Sequence, residues 1–208
     1  MSRSLAIAVL CGFLTAIAAA QQADSFFTLA RDKYQAVPDF KASYQGIKTS
    51  GATGNIFHCK GTIEVGRPDK FRIECSKPEA RTIVYDGKML WIYSPKSKEV
   101  VATTIRNSPE LLALFNPYDK LFSATVIDGS RTNGEFQIWL NVPEYKDTLK
   151  EVKVFVNRAL AEIWGIDATD VRDNTYEYTF TKIKLNAGIK PARFEFTVPS
   201  GSKLIENF

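Results

Sequence analysis

Apolar and polar residues alternate through much of the chain. Between Phe57 and Cys75, the odd positions Phe57, Cys59, Ile63, Val65, Phe71, Ile73 and Cys75 are apolar, and the even positions His58, Lys60, Thr62, Glu64, Arg72 and Glu74 are polar. A period of two places one set on a packed sheet face and the other in water. Arg67-Pro68-Asp69 divides the stretch into a hairpin. Similar runs rich in aromatic and β-branched residues predict strands over Phe40–Ile47, Asn55–Val65, Phe71–Cys75, Thr82–Tyr85, Lys88–Tyr93 and Val100–Ile105. Further runs lie over Thr125–Ile127, Glu135–Leu140, Leu149–Val156, Ile163–Ala168, Thr175–Leu185 and Phe194–Val198. Successive strands with turn residues between them predict a mainly β protein, an antiparallel sheet or barrel rather than βαβ units.

Asp86-Gly87 is a strong hairpin signal, and it pairs Tyr85 with Lys88 and Ile83 with Leu90. Ile83, Leu90 and Ile92 then share one face and Val84, Met89, Trp91 and Tyr93 the other, so this hairpin is apolar on both sides. Two segments carry helical spacing instead. Asp24 caps a predicted N-terminal helix with Phe26, Phe27, Leu29, Ala30 and Tyr34 on a broad apolar side, ending before Pro38. Ser108-Pro109-Glu110 opens a central helical insertion that carries Leu111, Leu112, Leu114 and Phe115 and stops at Asn116-Pro117, with Tyr118–Phe122 as a further turn.

Arg3, the apolar run Leu5–Ala20 and the closing Ala18-Ala19-Ala20 form a secretory signal peptide over residues 1–20, leaving one domain over 21–208. Lipidation at Cys11 is the weaker alternative, since Leu10 stands where a small residue precedes a lipidated cysteine. Beyond residue 20 no apolar stretch approaches the roughly 20 residues of a membrane span, which predicts a soluble periplasmic protein. Without the leader, 26 basic and 23 acidic residues mix along the chain with no basic block, which gives no support to nucleic-acid binding. Export leaves Cys59 and Cys75 as an even pair in an oxidising space. A disulfide and two reduced core thiols stand equally open.

Enzyme chemistry finds little support. His58 is the single histidine, on the polar side of a strand. With Cys59 and Cys75 it lacks metal-site spacing, so neither a metal nor a catalytic residue is assigned. Gly51–Gly54 lacks the lysine of a phosphate loop. The acids Asp167, Asp170 and Asp173 read as turn residues. No cofactor is implied.

Three stretches carry a family resemblance: Gly61-Thr-Ile-Glu-Val-Gly-Arg-Pro-Asp-Lys-Phe-Arg72, Tyr85-Asp-Gly-Lys-Met-Leu-Trp-Ile-Tyr93 and Phe194-Glu-Phe-Thr-Val-Pro-Ser-Gly201. Their order after a cleavable leader resembles the LolA family of periplasmic lipoprotein carriers across nearly the whole mature chain. The resemblance implies an unclosed, curved antiparallel β-barrel whose concave apolar face lies under a helical lid. It implies a monomer that takes acylated lipoproteins from an inner-membrane ABC transporter and hands them to an outer-membrane acceptor lipoprotein or to the outer membrane itself. An acyl chain left in water costs about 0.8 kcal/mol per methylene, so a carrier needs a dry cavity and a cover for it when empty.

On that reading Phe57, Ile63, Val65, Phe71, Ile73, Ile83, Leu90 and Ile92 line the acyl cavity, with Phe71 at its entrance. Phe26, Phe27, Leu29, Leu111, Leu112, Leu114 and Phe115 form the lid, and Arg67, the arginine before the proline, latches it. Permanent core packing for the apolar residues and a solvated turn for Arg67 are the ordinary alternatives. The chain departs from the family pattern by carrying Ile73 and Cys75, with no tryptophan shortly after Phe71. A related half-barrel binding free lipid or glycolipid and a periplasmic scaffold are the other readings.

Overall fold

The computed structural model describes residues 21–105, 124–132 and 135–207. The expected leader and the Leu111, Leu112, Leu114 and Phe115 insertion lie outside the described residues. Helix α1 covers residues 21–35. Asp24 is therefore an interior helical residue and not the cap that the sequence suggested. Ala23, Phe27, Ala30 and Tyr34 are buried, a spacing of four, three and four that gives one packed stripe. Leu29 falls off that stripe and is exposed, so it takes no part in covering the sheet.

Twelve strands follow, β1 (Asp39–Thr49), β2 (Ile56–Gly66), β3 (Lys70–Lys77), β4 (Arg81–Tyr85), β5 (Met89–Ser94), β6 (Glu99–Thr104), β7 (Thr125–Thr132), β8 (Glu135–Asn141), β9 (Leu149–Asn157), β10 (Glu162–Asp170), β11 (Thr175–Leu185) and β12 (Lys203–Asn207). They form one sheet in the order β12-β6-β5-β4-β3-β2-β1-β11-β10-β9-β8-β7. The outermost strands β12 and β7 do not meet, so the barrel is unclosed. Every ladder is antiparallel except β12 on β6, where Leu204 stands beside Val100.

Two sequence expectations change here. Phe194–Val198 is not a strand; a 3-10 turn at Pro191–Phe194 opens a strap across the outer sheet face, and the last strand is β12. Alternation of Phe194 and Phe196 reports an extended segment with one apolar side, which a strap satisfies without any ladder. The β4–β5 register is also displaced, with Tyr85 opposite Leu90 and Ile83 opposite Ile92. The displacement is two residues, an even number, so each side chain keeps the face the sequence assigned.

The strap explains why the β4–β5 hairpin is apolar on both sides. Phe196 stacks on Trp91 at 5.5 Å and meets Tyr93 at 6.4 Å. Phe194 is buried against Gly66, where any side chain would collide with its ring. Val84 and Ala102 flank the half-buried Trp91 on this outer face and are themselves buried. Arg193 fixes the strap with ion pairs to Glu64 at 2.8 Å and Glu74 at 3.2 Å. Asp39 accepts backbone N–H bonds from Ala187, Gly188 and Ile189, holding the strap's first turn to β1.

On the inner face α1 packs toward the β7–β10 half. Phe26 stacks on Phe136 at 4.5 Å, and Tyr34 meets Phe40 edge-on at 5.6 Å. Ala23 lies over Gly129, an approach that any larger residue at 129 would block. The Lys33 ammonium donates to the Leu160 carbonyl at 2.7 Å and pairs with Glu162 at 3.1 Å.

Candidate functional site

The inner face divides into a filled and a hollow part. Ladder partners point to the same side, so the rows Ile63, Ile73, Ile83, Ile92 and Val65, Phe71, Tyr85, Leu90 both face inward. The second row, together with Ile63, is buried in one core with Phe27, Ala30 and Tyr34. The other end of the sheet, beside the β1–β2 loop, holds a cavity of about 430 Å³. That is within the usual size range of small-molecule sites, roughly 300–1,000 Å³.

The cavity floor is aromatic. Tyr44, Tyr176 and Tyr178 line it from β1 and β11, and the walls are Ile56, Phe57, Ile73, Ile83 and Ile92 with Cys59 and Cys75. Tyr44 stacks on Tyr178 at 5.7 Å, and Tyr176 stacks on Tyr178 at 6.5 Å. Burial drives the Tyr44 phenol far above its ordinary range, against a smaller opposing effect of its hydrogen bond with Tyr178, so it stays neutral. At the outer end of the floor, the Tyr176 hydroxyl donates to Asp170 at 3.0 Å. The Lys48 ammonium lies 5.1 Å from the Tyr176 ring centre.

Asp170 is buried and organises the β10–β11 turn by accepting from the Arg172 N–H at 2.8 Å, the Asn174 N–H at 2.9 Å and the Asn174 amide at 2.7 Å. Burial pushes its carboxyl up, but these bonds and the Tyr176 hydroxyl outweigh that and hold it below its ordinary value. Asp167 pairs instead with Lys153 at 3.3 Å, and Asp173 with Lys150 at 2.6 Å. The three acids are thus separate structural contacts.

Cys59 and Cys75 are joined by a disulfide with Cα atoms 5.2 Å apart. The two are not directly opposite, because the β2–β3 register shifts between Lys60 and Gly61 and sets Cys75 against Gly61. The bridge ties the two strands where the cavity wall would otherwise be free to spread.

Of the eight residues assigned to the cavity from sequence, Phe57, Ile73, Ile83 and Ile92 line it. Ile63, Val65, Phe71 and Leu90 do not in this structure; they stand nearer the Arg67 end of the strands, where the core is filled. Phe71 is buried at 5.7 Å from Tyr85, inside the core rather than at an entrance. Of the expected lid residues described, Phe26 and Phe27 pack on the sheet and Leu29 does not. Arg67 is exposed in the β2–β3 turn, and its backbone N–H donates to the Pro38 carbonyl at 2.9 Å. The insertion it was expected to latch lies outside the described residues.

The aromatic floor was absent from the sequence reading. Its signal was available: Tyr176, Tyr178 and Phe180 alternate along a single strand, as do Phe40, Ala42 and Tyr44. Only the long-range ladder of β1 with β11 shows that they meet.

Similar proteins agree with this architecture. An outer-membrane lipoprotein carrier protein of Chromobacterium violaceum is 31% identical over 185 residues, covering 82% of this chain and 87% of that one. One from Proteus mirabilis is 29% identical, covering 79% and 80%. An uncharacterized conserved protein from Thermus thermophilus has the same fold at 12% identity and a TM-score of 0.53, covering 86% and 96%. The family model described as outer membrane lipoprotein carrier protein LolA matches residues 35–197. With the open sheet, the inner hollow and a match of that span together, the chain belongs to the LolA family of outer membrane lipoprotein carrier proteins.

Proposed function

We propose that the protein is a periplasmic carrier, without a catalytic step, that shields the acyl chains of lipoproteins on their way from the inner to the outer membrane. The observation that carries this reading is the unfilled apolar hollow on the inner face, floored by Tyr44, Tyr176 and Tyr178. Each acyl methylene moved from water into such a site gains about 0.8 kcal/mol. Family membership supports the choice of an acylated protein over a free lipid. Loading comes from an inner-membrane ABC transporter, and delivery goes to an outer-membrane acceptor lipoprotein or to the membrane itself.

A hollow of about 430 Å³ leaves room for part of a cargo's acyl surface. Ile63, Val65, Phe71 and Leu90 continue the same inner face, and displacement of the helical cover would extend the hollow across them. Arg67, exposed at the edge of this region, is the latch of the cover in this reading. The test is release of an acylated lipoprotein from inner-membrane vesicles, followed by native mass spectrometry of the soluble fraction. The expected product is a one-to-one complex with acylated protein; free lipid alone, or an empty chain, contradicts the reading. Arg67→Leu should fold normally and either hold its cargo or fail to load, and normal release to acceptor membranes would remove the latch.

A further inference from the structure

The mouth of the cavity differs from the rest of the surface in two ways. Ile56 and Phe57, consecutive residues at the start of β2, are 58% and 57% exposed although both also line the cavity. Around them stand cations. Lys60 and Lys77 are exposed and directly opposite each other across the β2–β3 ladder, a like-charge pairing that strands ordinarily avoid. They line a groove of about 520 Å³ with Gln45 and His58, which adjoins the cavity through His58, Cys59 and Pro78.

Neighbouring acids do not balance this charge. Glu79 is held by Lys96 at 2.6 Å and Asp173 by Lys150 at 2.6 Å. Among the described residues Lys60, Lys77 and Arg81 enter no ion pair within salt-bridge distance, while Lys48 adds a further positive charge on the inner side. Among the described residues the acids left at this end are Glu79, which is shared between Lys96 and the field of Arg81, and Glu177, across from Ile47 on β11, against the four cations Lys48, Lys60, Lys77 and Arg81. The rim is therefore net positive, with two apolar side chains projecting at its centre.

We propose that this end of the barrel docks on an anionic bilayer surface, with Ile56 and Phe57 entering the interface and Lys60, Lys77 and Arg81 against lipid phosphates. Charge complementarity selects an anionic partner. The apolar pair beside the cavity mouth selects a bilayer over a soluble anion, which would engage the lysines alone. Docked this way, the mouth opens onto the membrane, and an acyl chain passes between hollow and bilayer without crossing bulk water. The inference extends the carrier reading by naming the face that meets the membrane.

Flotation of the purified protein with phosphatidylcholine vesicles, with and without phosphatidylglycerol, tests it. Binding is expected only with phosphatidylglycerol and should weaken in high salt. Combined Lys60→Glu and Lys77→Glu should lower it at least about tenfold, at about 1 kcal/mol per charge lost, and Phe57→Ser by roughly tenfold. Lys88→Glu, a single charge reversal at the opposite end of the sheet, should leave it unchanged, whereas Lys77→Glu alone should lower it. Thermal melts of each variant establish that the fold is retained. No flotation, flotation indifferent to these mouth variants, or equal loss with Lys88→Glu overturns the proposal, as does binding of dispersed phosphatidylglycerol monomers without vesicle binding. A chain that carries acylated protein yet never floats keeps the carrier reading and loses this one; a chain that floats yet carries none does the reverse.

Discussion

Asp170 shows how one side chain can hold the floor of the hollow. Four donors converge on its buried carboxylate, and one of them is the Tyr176 hydroxyl beneath the cavity. Asp170→Ala leaves those donors without an acceptor and should cost about 2–4 kcal/mol in denaturant unfolding. Because the folded carboxyl lies below its ordinary value of 3.8, its contribution is fully present above that value and fades as pH falls through the lower folded value. The gap in stability between wild type and Asp170→Ala should therefore be widest near neutrality and close in acid. A gap constant with pH would show that the charge is not what matters. At this scale the sequence told which face each residue takes and not how much of it is covered. Phe57 and Ile63 share an inward face by parity, yet one is exposed and the other fully buried. Coverage depends on what crosses the sheet, and alternation along a strand carries no record of that.

Among the elements, the β2–β3 hairpin bears the cavity wall, and its cross-link is the part most open to manipulation. The bridge closes a span of 16 residues. Cys59→Ser with Cys75→Ser should lower stability by about 3 kcal/mol through the freer unfolded chain, and should also weaken acyl binding as the wall spreads. A melting temperature indifferent to reductant would contradict this. Strand positions were legible because period-two alternation and turn residues act locally, and nine of the eleven ladders join strands consecutive in the chain, all but β1 with β11 and β12 with β6. The departures have a common cause. The strap read as a strand because Phe194 and Phe196 present one apolar side to the sheet, and β12 went unread because Lys203–Asn207 is short and mostly polar. Its pairing to β6 comes from a partner about a hundred residues away. Asp24 looked like a cap, whereas the helical stripe begins before it with Ala23.

At the scale of the whole molecule, the open sheet keeps two apolar layers apart. The outer layer is covered by the strap, so the hairpin of Trp91 and Ile92 has packing on both its sides. The inner layer is sealed toward Arg67 and Leu90 and hollow toward Phe57, which leaves a carrier with a fixed wall and a space that a guest can enter. Family membership was legible from the order of three short motifs, because the turns and strands they encode are those that shape the wall. The aromatic floor was not, since β1 and β11 are far apart in sequence. The most direct test of the acyl site is photocrosslinking from a benzophenone side chain placed at Phe57, Ile83 or Ile92, and separately at Leu204 on the outer edge strand, in protein loaded with a radiolabelled acylated lipoprotein. Label should transfer from the three inner positions and not from Leu204; crosslinks from Leu204 alone, or from none of the inner positions in a loaded complex, would contradict an acyl chain held in the hollow.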